Sequence, residues 1–340
     1  MAIRDNLRIL SKLTRRRLIN ALKIYLSFLV SRLLHRPVLW GLPISASIEP
    51  TTSCNLRCPE CPSGLRSFTR PTGMLSETLF RDAITDLSTH LWYLTFYFQG
   101  EPYLNPNFLD MVRFAVQQGI YTSTSTNAHY LSDAVAKATV LSGLDRLIVS
   151  IDGTTQATYE SYRIGGDLEK VIAGTKNILN WKKQLKSTTP HVIFQFLVVR
   201  SNEHQLKDLK ALAKSLGVNE VRFKTAQVYD YKNSKLIPEN PKYARYRKSK
   251  DGGYLIGNAM DNHCWRLWSG TVITWDGQVV PCCFDKDASF EMGKISGQLP
   301  FKTIWNNQPY KEFRANLVVS RKENSICANC SEGSKVWTQT

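Results

Sequence analysis

The chain has 340 residues, of which 43% are hydrophobic and 21% are charged. These fractions are ordinary for a folded protein, so extended disorder is excluded, and the length predicts one large domain with a smaller one. The formal net charge is +16, and residues 1–36 carry half of it, with nine Lys or Arg and a single acid. Charge concentrated in one segment favours a local anionic partner and disfavours a nucleic-acid groove.

Residues 1–43 form a basic N-terminal segment with a mostly apolar stretch at 18–34. Lys23 interrupts this stretch, which is shorter than the roughly 20 residues that span a bilayer, so we predict neither a transmembrane helix nor a signal peptide. One face of the predicted helix is apolar and consists of Leu18, Leu22, Tyr25, Leu26, Leu29 and Leu33. Either the helix lies on anionic headgroups, or it packs on this protein's own core or in a dimer. We predict a cytoplasmic protein, and the first interpretation adds peripheral contact with the inner face of the membrane through residues 1–36.

Between residues 44 and 227, strand-like and helix-like stretches alternate. The predicted strands are rich in β-branched and aromatic residues and span 44–51, 93–100, 121–127, 145–153, 191–200 and 220–227. The predicted helices span 76–87, 107–118, 132–143, 155–163, 167–186 and 203–217. Such alternation predicts an α/β fold, a partial (β/α)6 barrel with parallel strands and an active site at their carboxyl ends.

The rest of the chain breaks this alternation. Residues 228–262 are rich in Lys, Pro, Gly and Tyr, which is typical of a linker. Residues 263–340 hold five of the eight cysteines and few helical stretches, so we predict a small C-terminal iron–sulfur or metal domain. The cysteines are clustered along the chain, which favours metal or cluster ligation over disulfide bonds.

The first cysteine group follows the first predicted strand and has the pattern Cys-x3-Cys-x2-Cys at Cys54, Cys58 and Cys61. A [4Fe–4S] cluster normally takes four thiolates, so three leave one iron open for a substrate or cofactor. This pattern, on a loop after the first strand of a six-unit barrel, resembles the radical S-adenosylmethionine (SAM) superfamily. The resemblance implies that the open iron binds the amino and carboxylate groups of SAM.

Further stretches at the ends of the predicted strands resemble the SAM-contacting motifs of that superfamily. The residues that match are Gly100, Glu101, Pro102, Ser125, Thr126, Asn127, Ser150, Asp152, Arg163 and Val198. The resemblance implies that Glu101 and its neighbours contact the SAM amino group, that Arg163 pairs with the SAM carboxylate, and that Val198 faces the adenine. Glu60 departs from the pattern, because the residue before the third cysteine is often aromatic and packs on the adenine.

The second cysteine group has Cys264, Cys282, Cys327 and Cys330 as its predicted ligands. Their spacing resembles the SPASM extension of radical SAM enzymes in its shortened, twitch-like version, which implies one auxiliary [4Fe–4S] cluster. A structural zinc site would need the same four ligands, so that alternative stays open. Cys283 adjoins Cys282, and neighbouring side chains in a strand point opposite ways, so only one should ligate. The spacing selects Cys282, which leaves Cys283 as a hydrogen-atom donor to a substrate radical or as a small buried apolar residue.

The resemblance implies an enzyme that splits SAM reductively into methionine and a 5′-deoxyadenosyl radical, which abstracts a hydrogen atom from the substrate. An external one-electron reductant of the flavodoxin or ferredoxin type is an implied partner. With an auxiliary cluster as electron acceptor, we predict an oxidative or maturase-type modification of a small-molecule, peptide or lipid-linked substrate. Two alternatives stay open, a two-cluster electron-transfer or scaffold protein and an RNA-modifying radical SAM enzyme.

Overall fold

The computed structural model describes residues 2–257, 260–297, 299–330 and 337–338. The helices are α1 (Ala2–Ser11), α2 (Arg15–Leu34), α3 (Pro62–Leu65), α4 (Glu77–Leu87), α5 (Phe108–Gln117), α6 (Asp133–Leu141), α7 (Gln156–Tyr162), α8 (Leu168–Gln184), α9 (Leu206–Leu216), α10 (Trp265–Ser269), α11 (Phe301–Trp305) and α12 (Gln308–Ser320). The strands are β1 (Ser45–Ile48), β2 (Tyr93–Phe96), β3 (Tyr121–Thr126), β4 (Arg146–Ser150), β5 (His191–Val198), β6 (Glu220–Thr225), β7 (Tyr246–Lys248), β8 (Tyr254–Ile256), β9 (Gly270–Ile273), β10 (Gln278–Val280), β11 (Gly293–Lys294) and β12 (Trp337–Thr338).

The six predicted strands are β1 to β6, and each pairs in parallel with the next. Helices lie between successive strands, as a parallel sheet requires. The partial (β/α)6 barrel is therefore confirmed. β2 ends at Phe96, four residues before the predicted end, because residues 97–104 turn into the site and a short 3-10 helix.

Alternation along the strands separates the core from the interior of the barrel. Leu94 and Phe96 of β2 and Val149 of β4 are fully buried in the apolar core. Their neighbours Thr95 and Ser150 line a cavity. Since successive side chains of a strand point to opposite faces, the helices cover one face while polar groups collect on the other.

The N-terminal helix α1 packs at the amino ends of the strands. Asp5 is buried, where it forms an ion pair with Arg146 and accepts a hydrogen bond from the Tyr121 hydroxyl. Trp92, just before β2, donates through its indole nitrogen to the carbonyl of Ile9 at 2.7 Å. These contacts make α1 a cap on the end of the barrel that lies away from the predicted active site.

The helix α2 is buried through the face opposite the predicted apolar one. Ile24 and Phe28 are buried, and Phe28 packs edge-on against Trp268 of α10. Ser27 and Ser31 are buried with them because their hydroxyls accept the backbone amides of residues 40 and 38. The predicted apolar face is exposed, so packing of that face on the protein's own core is wrong. No helix among the described residues is long and apolar enough to cross a membrane.

Residues 228–257, which make up most of the predicted linker 228–262, form part of the folded body. They contain the antiparallel pair β7–β8, and Val228, Ile237 and Tyr246 are buried against Leu56 of the first cysteine loop. The Lys, Pro, Gly and Tyr residues that suggested a linker therefore lie in turns and short strands of the folded protein.

The C-terminal region extends the sheet of the barrel instead of forming a separate sheet. β9 pairs in parallel with β1, and β10 and β11 continue antiparallel beyond it. At the other edge, β12 pairs antiparallel with β6. Cys264 and Cys282 of the second cysteine group thus flank β9 and β10, which continue the sheet from β1, the strand that leads into the first cysteine loop.

Candidate active site

The carboxyl ends of β1 to β6 border a cavity of about 390 Å³. Each strand contributes a polar side chain to its lining, and these are Ser47, Thr95, Ser125, Ser150, Gln195 and Lys224. The first cysteine loop, the residues after β6 and the C-terminal region complete the lining. The cavity therefore lies where the sequence predicted the active site.

All three thiols of the first group, Cys54, Cys58 and Cys61, line this cavity. The loop that carries them is tightly folded, because a Cβ atom on Gly64 would lie 2.6 Å from the Cys58 backbone nitrogen. It is also fixed to the neighbouring strand, since the Ser63 hydroxyl accepts the backbone amide of Gly100 at 2.9 Å. The local sequence therefore brings the three thiols to one wall of the cavity.

The chemistry of these thiols fits a cationic iron group. Burial raises the pKa of Cys54 to about 11, and it also raises the pKa of Cys58. Such thiols become thiolates when a positively charged group binds them. Among the residues that the structure describes, no three His, Cys, Asp or Glu side chains are close enough to bind one metal ion between them. In a [4Fe–4S] cluster each thiolate binds a different iron, so the three sulfurs need not converge on one point. The three cysteines fit such a cluster because they are thiol donors on the same wall of the cavity.

Glu101 is buried at the edge of the cavity with both carboxylate oxygens engaged. One oxygen accepts the Thr126 hydroxyl at 2.6 Å, and the other accepts the Asn127 backbone amide at 2.8 Å. Burial raises the pKa of Glu101 to about 7, although these hydrogen bonds oppose the rise. Gly100 before it has a φ of +74°, and a Cβ there would lie 2.1 Å from the Thr51 carbonyl, so only glycine fits. The backbone conformation of the Gly-Glu-Pro stretch therefore fixes the position of Glu101.

Arg163 lies between the first cysteine loop and Asp152. Its Nε donates to Asp152 Oδ2 at 2.5 Å, and its Nη1 lies 3.8 Å from Cys58 Sγ. Asp152 is fully buried and also accepts the Leu197 backbone amide at 2.6 Å, so it fixes the direction of the guanidinium. Nearby, the hydroxyls of Ser125 and Ser150 are 3.3 Å apart.

Three of the predicted SAM contacts do not line the cavity. Asp152 acts through Arg163, and Pro102 begins the 3-10 helix that follows Glu101. Val198 is buried in the core and does not line the cavity, whereas its neighbour Leu197 does, so the expectation that Val198 faces the cavity is wrong. The error is one of strand alternation, because neighbouring side chains point to opposite faces.

The adjacent residues Cys282 and Cys283 follow β10 and have different surroundings. Cys283 lines the cavity, where Arg266 Nη1 lies 3.7 Å from its sulfur. Burial raises the pKa of Cys282 well above its usual value, and Cys283, Cys264 and Cys330 add to the rise. Arg321 Nη2 donates to Cys330 Sγ at 3.2 Å. Cys264 and Cys330 are therefore near enough to Cys282 to influence its thiol, while Cys283 faces into the cavity.

Several residues that line the cavity lie outside the motifs recognised in the sequence. They include Tyr97, Gln195, Lys224, Arg245, Arg266 and Lys286. Strand alternation could have indicated Lys224, since it is a charged residue near the carboxyl end of β6. Glu60, which stands where an aromatic residue is usual, accepts the Tyr229 backbone amide at 2.8 Å and thereby links the first cysteine loop to residues 228–257.

The sequence matches two family profiles at the places that carry this geometry. Residues 48–222 match the radical SAM superfamily. The chain belongs to the radical SAM superfamily. Residues 264–331 match the SPASM iron–sulfur cluster-binding domain. The radical SAM enzyme therefore carries a [4Fe–4S] cluster that works with SAM, and its C-terminal domain carries auxiliary iron–sulfur chemistry rather than structural zinc.

Curated relatives cover most of the radical SAM enzyme. A tungsten-containing aldehyde ferredoxin oxidoreductase cofactor-modifying protein of Pyrococcus furiosus is 25% identical, covering 84% of this chain and 86% of its own. A PqqA peptide cyclase of Gluconobacter oxydans is 24% identical over 87% and 84% of the two chains. The mycofactocin maturase MftC of Mycobacterium tuberculosis is 23% identical over 80% and 73%.

Solved structures share the fold. Streptococcus suis SuiB bound to S-adenosylmethionine has a TM-score of 0.64 at 13% identity, covering 87% of this chain and 73% of that chain. Native anSMEcpe with bound AdoMet has a TM-score of 0.58 at 17% identity, with coverage of 80% and 82%. At these identities the similarity shows the fold alone.

Proposed function

We propose that this radical SAM enzyme carries out an oxidative or maturase-type modification in which the substrate lies between SAM and the C-terminal domain. One observation carries the proposal. Arg266, Cys283 and Phe284, which adjoin the predicted auxiliary ligands, line the same cavity as the first cysteine loop and the SAM-motif residues. A substrate in that cavity would contact both parts of the enzyme.

The chain's own residues bind and orient SAM in this proposal. Cys54, Cys58 and Cys61 would hold the first cluster, Glu101 would accept the SAM ammonium, and Arg163 would attract the SAM carboxylate. A [4Fe–4S] cluster held by these cysteines would supply one-electron reduction of SAM by the external reductant, which yields methionine and the 5′-deoxyadenosyl radical that takes the substrate's hydrogen atom. The tight loop and the buried ion pair hold these groups before SAM arrives.

An auxiliary cluster would supply an acceptor for one electron from the substrate radical, and with release of one proton to water the net reaction would be an oxidation. Cys264, Cys282, Cys327 and Cys330 are the proposed ligands of that cluster. The names of two relatives, a peptide cyclase and a maturase, support a peptide substrate. A small-molecule or lipid-linked substrate stays within the proposal, since the cavity takes only the part of the substrate that reacts.

Replacing all four proposed auxiliary ligands with Ala is expected to reduce the iron content from about eight to about four atoms per chain. The matched control is Cys283→Ala, which removes the adjacent thiol that faces the cavity and should keep about eight. Iron and acid-labile sulfide are measured after anaerobic reconstitution. Retention of about eight irons by the fourfold variant would contradict the ligand set.

Cys283 is also a candidate hydrogen-atom donor to a substrate radical, because its thiol lines the cavity. Donation leaves a thiyl radical, which the external reductant must return to the thiol with one electron and one proton. In D2O the thiol carries deuterium. The product of the wild type would then gain one deuterium that the product of Cys283→Ala lacks, and equal labelling would exclude the role.

We also propose that α1 and α2 attach the enzyme to an anionic membrane surface. Leu22, Leu26 and Leu33 of α2 are 53%, 49% and 78% exposed. A second cavity of about 620 Å³ beside α2 combines basic and apolar side chains, namely Arg16, Ile19, Lys23, Trp40 and Lys302. Apolar side chains flanked by cations are what an interface with anionic lipids accommodates.

The double substitution Leu22→Glu/Leu26→Glu is expected to lower binding to vesicles that contain phosphatidylglycerol by more than about tenfold. Leu141→Glu is the matched control, because Leu141 is similarly exposed on α6. Deleting the helix is unsuitable, since Ile24 and Phe28 are part of the core. Binding is measured by co-sedimentation. Unchanged binding, or equal binding to purely zwitterionic vesicles, would contradict the attachment.

A further inference from the structure

The cavity of about 620 Å³ beside α2 lies at the end of the barrel opposite the active site. It is bordered by α2, by residues 39–42, by His90 and by Lys302 with its neighbours on α11. Leu42 and His90 come shortly before β1 and β2, so the cavity adjoins the amino ends of these strands. The first cysteine loop follows the carboxyl end of β1, so this cavity, here called the α2 cavity, is separate from the SAM site.

One wall of the α2 cavity is fixed by contacts within the protein. The side chain of Asn20 donates to the carbonyl of Leu42 at 2.8 Å and accepts the amide of the same residue at 2.9 Å. The indole nitrogen of Trp305 donates to the carbonyl of Gly41 at 3.0 Å. A Cβ atom on Gly41 would lie only 2.9 Å from Asn20 Oδ1, so this segment packs closely on α2. A wall that is ordered before a ligand arrives reduces the entropy cost of binding.

Three cations border the α2 cavity. Arg16 and Lys23 are seven residues, or two turns, apart on α2 and therefore lie on one side of this helix, and Lys302 comes from α11. In the part of the chain that the structure describes, none of the three is in an ion pair and no acid lines the cavity. Cations from two helices thus concentrate a positive potential in this space.

The electrostatics of His90 show that the charges on α2 reach into the cavity. Burial lowers the pKa of His90, and the positive charges of Arg16 and Lys23 add to the decrease, while Asp86 opposes it. Asp86 is already engaged within the protein, because its carboxylate accepts the backbone amide of Phe301 at the start of α11. The nearby acid therefore stabilises a helix end and leaves the cations available to a ligand.

Apolar side chains accompany these cations. Leu39 and Trp40 line the cavity, and Trp40 is 53% exposed. A further cavity of about 410 Å³ shares Leu39 and Asn306 with the α2 cavity, so the two adjoin. Pro37 adds apolar lining there, and its acid, Glu312, accepts a hydrogen bond from the side chain of Gln308. A free inorganic anion would leave the apolar surface exposed, whereas an anionic amphiphile would cover it.

We propose that the α2 cavity binds one anionic phospholipid, with the phosphate between Arg16, Lys23 and Lys302 and the acyl chains beside Leu39 and Trp40. The inference rests on the proposed membrane attachment and adds to it a defined site for a single headgroup. Guanidinium and ammonium groups are the usual protein ligands of phosphate, and tryptophan suits the boundary between headgroups and chains. Because the cavity adjoins the amino ends of the strands, the active-site cavity then opens on the side away from the membrane.

The test uses dihexanoylphosphatidylglycerol below its critical micelle concentration as a soluble probe of the reconstituted holoenzyme. Anaerobic calorimetry should show saturable binding of one lipid per chain. Two further probes separate the parts of the ligand. Glycerol 3-phosphate has a phosphate without acyl chains, and dihexanoylphosphatidylcholine has the same chains and phosphate with a compensating cation. Both should bind at least about tenfold more weakly, since each lacks one of the two proposed interactions.

The variant Lys23→Glu/Lys302→Glu is expected to weaken binding of dihexanoylphosphatidylglycerol by about tenfold or more. Lys23→Arg/Lys302→Arg keeps both charges and should bind within about threefold of the wild type. Lys176→Glu/Lys183→Glu is the matched control, because it makes the same change in net charge at two exposed positions of α8, and it should bind as the wild type does. Circular dichroism and iron content verify that each variant is folded and loaded.

Vesicle binding is measured in parallel, so that failure of the site and failure of the membrane attachment are distinguishable. Leu22→Glu/Leu26→Glu should lose vesicle binding but keep binding of the soluble lipid, because neither leucine lines the cavity. Binding of the soluble lipid by a wild type that ignores vesicles would contradict the attachment and leave the site standing. Absence of saturable lipid binding by the wild type, equal binding of either comparison probe, or unchanged binding by Lys23→Glu/Lys302→Glu would overturn the inference.

Discussion

Replacing Arg163 with Met is expected to lower the free energy of unfolding by about 3–5 kcal/mol, because it leaves the Asp152 carboxylate buried without its cation. Asp152 is fully buried, and its Oδ2 lies 2.5 Å from Arg163 Nε. Its other oxygen accepts the Leu197 amide, so the carboxylate cannot turn toward solvent without breaking a hydrogen bond of β5. Chemical denaturation measures the change.

The double variant Asp152→Asn/Arg163→Met separates stability from SAM binding. Removing both charges of a buried pair is far less costly than removing one, so the double variant should recover most of the lost stability. It should still bind SAM weakly, because the guanidinium beside Cys58 is gone. Arg113→Met is the surface control; it breaks an exposed pair with Asp110 and should change stability by less than about 1 kcal/mol. A double variant with wild-type affinity for SAM would exclude a role for Arg163 at the cofactor.

Replacing Glu101 with Gln is expected to weaken SAM binding by about tenfold to a hundredfold, because a charge-assisted hydrogen bond to the SAM ammonium becomes a neutral one. The side chain should keep its position in the variant, since the carbonyl oxygen of Gln can still accept the Asn127 backbone amide. Equilibrium dialysis with the reconstituted enzyme measures the affinity. Glu77→Gln, at an exposed position of α4, is the control and should bind SAM normally.

The pH dependence of SAM binding follows from the raised pKa of Glu101, which is about 7. The carboxylate that binds an ammonium is present above that pKa, so SAM affinity of the wild type should increase from pH 6 to pH 8. The same pKa predicts that the protein without SAM becomes less stable as pH rises from about 4.5 to 7, because the folded state holds a proton that the unfolded state releases. Both slopes should be absent in Glu101→Gln, and a wild-type affinity that is flat over this range would contradict the assignment.

The barrel and the first cysteine loop were predictable because their signals are local. Alternating strands and helices that form one parallel sheet are compatible with only a few chain topologies. Three cysteines within eight residues must lie on the same loop. The Gly-Glu-Pro stretch was equally readable, since the positive φ at Gly100 is a requirement that only glycine meets without strain. These features depend on residues that are neighbours in the sequence.

Features that depend on distant partners were not predictable. The faces of α2 can be read from the sequence, but the buried one is chosen by backbone amides at residues 38 and 40, which satisfy Ser31 and Ser27. β9 joins β1 although more than 200 residues separate them, and the cavity lining needs the barrel, the residues after β6 and the C-terminal region to meet. The choice of Val198 over Leu197 was wrong because strand direction relative to the cavity is set by the whole sheet.

Formation of 5′-deoxyadenosine tests the central claim most directly. The wild-type enzyme and the variant Cys54→Ala/Cys58→Ala/Cys61→Ala are reconstituted without oxygen, supplied with SAM and dithionite, and compared by chromatography. The account predicts 5′-deoxyadenosine and methionine from the wild type and none from the variant, whose auxiliary cluster stays loaded. Equal product from both, or an iron-loaded wild type that neither binds nor cleaves SAM, would contradict it.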